Sequence, residues 1–516
     1  MMKKILLIAT ILAIASCFGY SQTREDFIKS RNSSRQNYVA EKNKEYQKYL
    51  AEINNEFAEY LKEQWSAFDV QEGMPLPLKP QPVEPVSVIP SEGNPEDADL
   101  SPELEQILYD VVIQAEDLEM SPKEETNFEK ATKFIDELQT SIIDMAPEYE
   151  SSENMLSSEI YNTPINVCMS EKLSNIKLSD IHETQVGNFW NQVMTVDDNY
   201  QIIGKCQQLK ENLKLNDWGY YLICKNAAEN IFGDNYNEKT VYTVFLLCQS
   251  GYNAKVARCK ENLIIMLPFY QNSYCQKYIE SDGIKYYMFN FNDVPVTGNN
   301  TIYTYNKIFN EVNSKRLNLL INDEPQFNAK TATKALSYGN DGEIMNFNYN
   351  SNLIDYYKDY PLVDLKVYFN AALSKELSKS VKSCLQPLVE GKSEQLSVNT
   401  LLDFMYTSFD NYKSDDEQFG HEKWFFCEEM LYYPFNDCED RAVFFANLVS
   451  KLLGLDVVLL EYPYHVAAAV CFKDDEVKGK YLMYDNKKYV VCDPTYFGAY
   501  AGLEMPEVGE PVVISR

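Results

Sequence analysis

The sequence predicts an α+β protein whose C-terminal part packs a cysteine-bearing helix on an antiparallel sheet that carries a histidine and an aspartate. Three observations lead there. Apolar residues recur at three- and four-residue steps through 373–410 and again after Asn436-Asp437, which is helical spacing. From Asp456 onward the chain turns to short strand-like runs broken by turn residues. A hydrophobic content of 45% with 13% aromatics is ample for packed cores.

The chain has 516 residues, enough for about two to four domains. With 47 Lys+Arg against 77 Asp+Glu it carries a formal charge of -30. That excludes a nucleic-acid partner, which needs a basic footprint to displace counterions, and electrostatic docking on anionic lipid. The chain has 3 His, and its 12 Cys include no C-x-x-C pair. Zinc spacing is absent and so is an EF-hand loop, so no metal and no cofactor are expected.

Residues 1–22 read as an export signal. Lys3-Lys4 precede an apolar run from Ile5 to Ala15 that is too short to span a bilayer. Two endings fit. Ile14-Ala15-Ser16-Cys17 resembles a lipobox, in which Cys17 is lipidated and attaches the protein to a membrane. Gly19-Tyr20-Ser21 would instead end a cleaved, secreted form. Either way the location is exported: bacterial cell envelope, as periplasmic protein or outer-membrane lipoprotein, or secreted. Export permits disulfides, and removal of Cys17 leaves an odd number of thiols. No later run reaches the length of a membrane span.

Residues 23–70 read as one long amphipathic helix, with Tyr46, Leu50, Ile53, Phe57 and Trp65 on one face, packed on a later domain rather than in a coiled coil. The Pro-rich stretch 71–100 favours an extended spacer. Residues 101–160 form an acidic helical segment. An α+β domain is expected over 161–290 and a strand-rich domain over 291–372, with runs at Arg316–Ile321 and Leu365–Phe369. The C-terminal domain covers 373–516. It opens with two helices, Leu373 to Leu385 and Val398 to Phe409, the first ended by Pro387.

The informative stretch is 431–499. Asn436 and Asp437 are good N-cap residues, Ala442, Phe445, Ala446, Val449 and Leu453 repeat at helical spacing, and Gly454 is a C-terminal stop. Cys438 therefore sits at a helix N-terminus, where the macrodipole and unpaired N–H groups favour a thiolate. Asp456–Tyr462 reads as a strand, His465 opens the next, and Tyr489–Cys492 leads into Asp493. A nucleophilic thiol needs a base in reach, and the base needs an acceptor for its other nitrogen. Neighbouring strands can supply both. Taken singly, a buried Cys is usually a small core hydrophobe and a strand His a hydrogen-bonded structural residue. His182 and His421 have no nucleophile in a matching pattern. Cys471 and Cys492 lie on strands that should be neighbours, and two buried thiols are expected there rather than a disulfide.

Asp437-Cys438-Glu439-Asp440-Arg441-Ala442, Tyr464-His465-Val466-Ala467 and Cys492-Asp493-Pro494-Thr495, in this order, resemble the transglutaminase-like superfamily of the papain-like fold. The resemblance covers about residues 395–500. It implies Cys438 as nucleophile, His465 as general acid/base and Asp493 as the residue that orients the imidazole. Two features depart from the family pattern. Val491 and Cys492 stand where an aromatic often precedes Asp-Pro, and Asp437, Glu439 and Asp440 crowd the sulfur, which Arg441 and a protonated His465 must offset. The backbone N–H of Cys438 is one oxyanion donor, and Gln418 and Trp424 are candidate side-chain donors.

Sliding the chain on itself by 203 residues aligns Lys480-Tyr481, Asp485, Lys488-Tyr489, Gly454 and Phe472 with Lys277-Tyr278, Asp282, Lys285-Tyr286, Gly251 and Phe269. Cys438, His465 and Asp493 then fall on Asn235, Asn262 and Asn290. A degenerate second transglutaminase-like module over 161–290 is one reading, and an unrelated α+β domain the other. The functional expectation is an exported thiol enzyme acting on amide bonds of a peptide or protein substrate, a cysteine protease or amidase (a hydrolase) rather than a transglutaminase. The competing expectation is a catalytically weak or inactive surface binding or scaffold protein.

Overall fold

The computed structural model describes residues 48, 51–73, 155–291, 300–307, 315–339, 342–409, 411–474, 476–506 and 508–516. The stretch 1–22 read as an export signal, with Cys17, nearly all of the Pro-rich stretch and most of the acidic segment lie outside the described residues. Among those described, no helix is long and apolar enough to cross a membrane.

Two mixed modules, each a helical layer on an antiparallel sheet, share one continuous core that runs from Phe57 to Ala501. The first sheet has the strand order Ser66–Asp69, Thr301–Thr304, Lys255–Cys259, Asn262–Pro268, Ile284–Phe289 and Tyr278–Ser281. Helices Glu183–Met194, Asp198–Asn212, Asp217–Phe232 and Tyr236–Gln249 precede its main strands. The second sheet has the order Val512–Ile514, Asp456–Tyr462, His465–Cys471, Lys487–Cys492 and Tyr481–Tyr484. The helix Cys438–Leu453 lies on it.

The two sheets are built alike, strand for strand. Adding 203 to both members of the pair Arg258↔Leu263 gives the pair Glu461↔Val466. The same shift carries Ile265↔Phe289 onto Ala468↔Cys492, and Tyr278↔Tyr287 onto Tyr481↔Val490. Three ladders thus share one register, and with it the assignment of side chains to faces. Val256, Leu263, Ile265, Leu267 and Tyr287 face the helices, as do Leu459, Val466, Ala468, Val470 and Val490. Ala257, Ile264, Met266, Ile279, Tyr286 and Met288 face the other side, as do Leu460, Ala467, Ala469, Leu482, Tyr489 and Val491. Since a one-residue slip would turn every side chain over, this agreement is a strong constraint. The tight hairpins match as well: Asp282 and Gly283 at φ 53° and 70°, Asp485 and Asn486 at φ 47° and 57°.

Several sequence-based expectations change. The helix expected over 23–70 is helical over 51–61, where Phe57, Ala58 and Leu61 are buried against the body. Gly187 lets the next helix cross it closely, since a Cβ there would meet the Ala58 carbonyl at 2.6 Å. Beyond Trp65 the chain is a strand, Ser66–Asp69, because its backbone completes the first sheet against Thr301–Thr304. The acidic segment ends in a hairpin, Met155–Ile160 with Thr163–Cys168, rather than in helix. The 291–372 region is not a separate strand-rich domain. Its strand Thr301–Thr304 belongs to the first sheet, and Arg316–Ile321 is irregular chain. Only Thr331–Tyr338 and Glu343–Asn350 make a hairpin of their own, followed by helix Ser351–Lys358. Leu365–Asn370 is a helix, apolar on most sides because it is enclosed on most sides. Pro387 lies inside helix Lys375–Val389, close enough to its end to be accommodated. Helix Glu394–Ser408 follows as expected.

One crossing holds the loop after Asp493 in place. Lys480 N–H donates to Gly502 O, and Gly502 N–H to Val491 O, both at 2.8 Å. The approach needs two glycines, because a Cβ on Gly479 would lie 2.3 Å from the Gly502 Cα, and one on Gly502 2.4 Å from the Lys478 carbonyl oxygen. Gly479→Ala and Gly502→Ala should each lower the unfolding free energy by about 1–3 kcal/mol through overpacking. Gly420→Ala, at φ 75° with open space around it, should cost about 1 kcal/mol from backbone strain alone. Urea denaturation of the three variants reads the difference, and equal losses would contradict the crossing.

Candidate active site

Cys438 is the first residue of its helix, and Asp437 is the N-cap. Asp440 reaches back so that its Oδ2 accepts the Asp437 N–H at 3.2 Å, while its Oδ1 accepts the Phe425 N–H at 2.9 Å. Gly454, at φ 64°, closes the other end. The sheet then brings two strand ends to the helix N-terminus. His465 starts one strand, and Asp493 follows the last residue of its neighbour.

The His465 Nε2 and Asp493 Oδ2 are 2.7 Å apart. That leaves Nδ1 for Cys438, which meets the ring as a side-chain hydrogen-bond partner. Asp493 is itself immobilised. Its Oδ1 accepts the N–H groups of Thr495 (2.9 Å) and Tyr496 (3.1 Å). Its backbone carbonyl accepts the Tyr406 hydroxyl at 2.6 Å. Cys438 and His465 are 3% and 7% exposed. Burial opposes a charge on His465, but Asp493 and then Cys438 outweigh it, and the imidazolium is held up to about 10. The ring is thus charged at neutral pH, ready to give a proton.

The carboxylates that crowd Cys438 in sequence also crowd it in space. The Cys438 thiol donates to Glu439 Oε2 at 3.0 Å. Asp415 joins Asp437 and Asp440, and Asp415 with Glu422 approaches Glu439, each trio with ligand oxygens within 4.8 Å, close enough to share a cation. Much of this charge is turned to backbone donors, as with Asp415 Oδ2, which accepts the Lys423 N–H at 2.8 Å. Arg441 is the cation among them. Its Nε donates to Asn436 Oδ1 at 2.7 Å, its guanidinium also bonds the Phe409 carbonyl, and it lies 5.4 Å over the Tyr412 ring.

The two side-chain oxyanion candidates are engaged elsewhere. Gln418 clamps the backbone of Phe435, donating to its carbonyl at 3.3 Å and accepting its N–H at 3.2 Å. Trp424 is buried against Tyr274 and Tyr368, and its Nε1 donates to Glu422. His182 and His421 lie apart from the cluster, with Arg258 and the Phe419 carbonyl respectively. No disulfide joins Cys471 to Cys492: the register sets Cys471 opposite Asp456 and Cys492 opposite Ala468. Sequence reasoning missed Tyr406 and Tyr412. Tyr406 reads as one more apolar position of a helix, and Tyr412 follows that helix with no motif of its own.

No family model, curated protein or solved structure matches this chain.

Because the folded value of His465 is raised above its ordinary 6.5, its contribution to stability is complete below pH 6.5. It disappears as the pH climbs through about 10. The unfolding free energy of the wild type should exceed that of His465→Gln at pH 6, and the gap should close toward pH 10.5. A gap independent of pH would refute the charged ring. In Asp493→Asn, the ring titration followed by NMR should fall back toward its ordinary range.

Proposed function

We propose that the protein is a thiol enzyme acting on amide bonds of peptides or proteins, in a module of the transglutaminase-like, papain-like kind. The observation that carries this reading is the placement of His465 between Cys438 and Asp493. Cys438 reacts as the thiolate paired with the imidazolium: the sulfur adds to the carbonyl carbon, the imidazolium protonates the departing amine, and Asp493 keeps the ring oriented through Nε2. Water then resolves the thioester to an acid, which makes the reaction a hydrolysis. An amine in place of water would make it a transamidation. We read water as the resolver, since it is the default nucleophile. The exported location inferred from residues 1–22 belongs to the same reading.

A second reading is favoured by the first module. Its sheet repeats the register of the second, yet Asn235, Asn262 and Asn290 stand where Cys438, His465 and Asp493 stand. We infer a degenerate copy there, and a copy without a nucleophile suits a binding or scaffold role.

A screen of fluorogenic peptide amides and unfolded protein substrates separates the two. Under the enzyme reading Cys438→Ala abolishes turnover and His465→Ala lowers it by about 10²–10⁴-fold. Substrate binding without any difference in turnover between wild type and Cys438→Ala would favour the scaffold.

A further inference from the structure

We propose that the Tyr412 hydroxyl is the side-chain donor to the oxyanion, beside the backbone N–H of Cys438. The proposal rests on the thiol-enzyme reading.

Three placements carry it. First, the chain at Tyr412 runs alongside the segment that enters the cysteine helix. Tyr412 forms a parallel bridge with Asn436, and Lys413 N–H donates to Asn436 O at 3.3 Å. Asn436 is two residues before Cys438, so the phenol is carried to the helix N-terminus. Second, Arg441, one turn into that helix, fixes the ring. It bonds Asn436 and the Phe409 carbonyl on either side of Tyr412 and lies 5.4 Å over the ring itself. Third, Gln418 and Trp424, the two side-chain donors expected from the sequence, have their donors committed to Phe435 and Glu422.

The chemistry of the group agrees. Burial pushes the Tyr412 phenol well above its ordinary value, and Cys438 and Asp437 push it further. A phenol so placed keeps its proton and can only donate to an oxyanion. It is half-buried.

During acyl transfer Cys438 reacts as the thiolate paired with the His465 imidazolium: its sulfur forms a bond to the carbonyl carbon, and the C=O π pair moves to oxygen. Tyr412 O–H and the Cys438 N–H donate to that oxygen without transferring a proton. When the pair returns, the bond to the leaving group breaks, and an amine leaving group takes its proton from His465. Neutral His465 then takes a proton from water as it adds to the thioester, and the C–S bond breaks to give a carboxylic acid and the thiolate–imidazolium pair again.

The test compares two reactions at one sulfur in the full chain. Acetylation of Cys438 by p-nitrophenyl acetate passes through an oxyanion, whereas alkylation by iodoacetamide is a displacement at carbon and does not. Both are followed by peptide mass mapping, with Cys438→Ala as the blank. Removal of one oxyanion donor costs about 10²–10³-fold. The expected result is that Tyr412→Phe acetylates at least about 10²-fold more slowly, while its alkylation stays within about twofold of wild type. Acetylation by Tyr412→Phe at the wild-type rate overturns the proposal. So does a parallel fall of both rates, which marks Tyr412 as a merely structural residue. If wild-type Cys438 undergoes neither reaction, the thiol-enzyme reading falls and takes the proposal with it.

Discussion

The bond between His465 and Asp493 is the constraint around which the second module is arranged. It joins the start of one strand to the end of its neighbour, so it exists only while the ladder Ala468↔Cys492 keeps its register. It also sets the ring so that the opposite nitrogen meets the helix N-terminus. The surrounding elements then hold the carboxylate. Tyr406 reaches from a preceding helix to the Asp493 carbonyl, and the crossing at Gly479 and Gly502 fastens the following loop. A buried His–Asp contact is stable here because each carboxylate oxygen has a donor, which offsets the cost of desolvation.

The first module shows what the frame looks like under different side chains. Its sheet has the same order, ladders and hairpin, with one further strand, Ser66–Asp69, on its edge. What persists between the two is the alternation of faces and the helix laid across them. Both are set by apolar patterning, which survives the exchange of one aliphatic residue for another. Polar positions at strand ends are not under that constraint, and there the two modules differ.

The parts of the site legible in the sequence were those specified locally. Asn436-Asp437 before an apolar repeat, with Gly454 after it, located the helix and put Cys438 at its start. The order Cys438, His465, Asp493 on a helix and two strands then made their meeting foreseeable. Other parts depended on neighbours distant in the chain. Leu365-Lys366-Val367-Tyr368-Phe369 has strand-like composition, and only its enclosure on several sides makes it helical. Ser66–Asp69 is a strand because an edge was open for it. Gln418 and Trp424 had suitable donors, but a donor's destination depends on what lies across from it, and Phe435 and Glu422 lie closer. The shift of 203 residues carried few identities, yet paired strands must keep one register, so the ladders agree where the letters do not.

The burial of Cys438 has a kinetic meaning. At 3% exposure the residue is enclosed, so an encounter with anything larger than a small reagent waits for a local opening of the fold. Each reaction rate measured at this thiol with a bulky reactant is then the product of an intrinsic rate and an opening equilibrium. Every 1.4 kcal/mol needed to open the surface slows all bulky reactants by about tenfold. Oxidants held out by the same barrier are slowed alike, so the thiol gains chemical longevity as it loses reach. Selectivity at such a centre is decided by who gets in before it is decided by what fits.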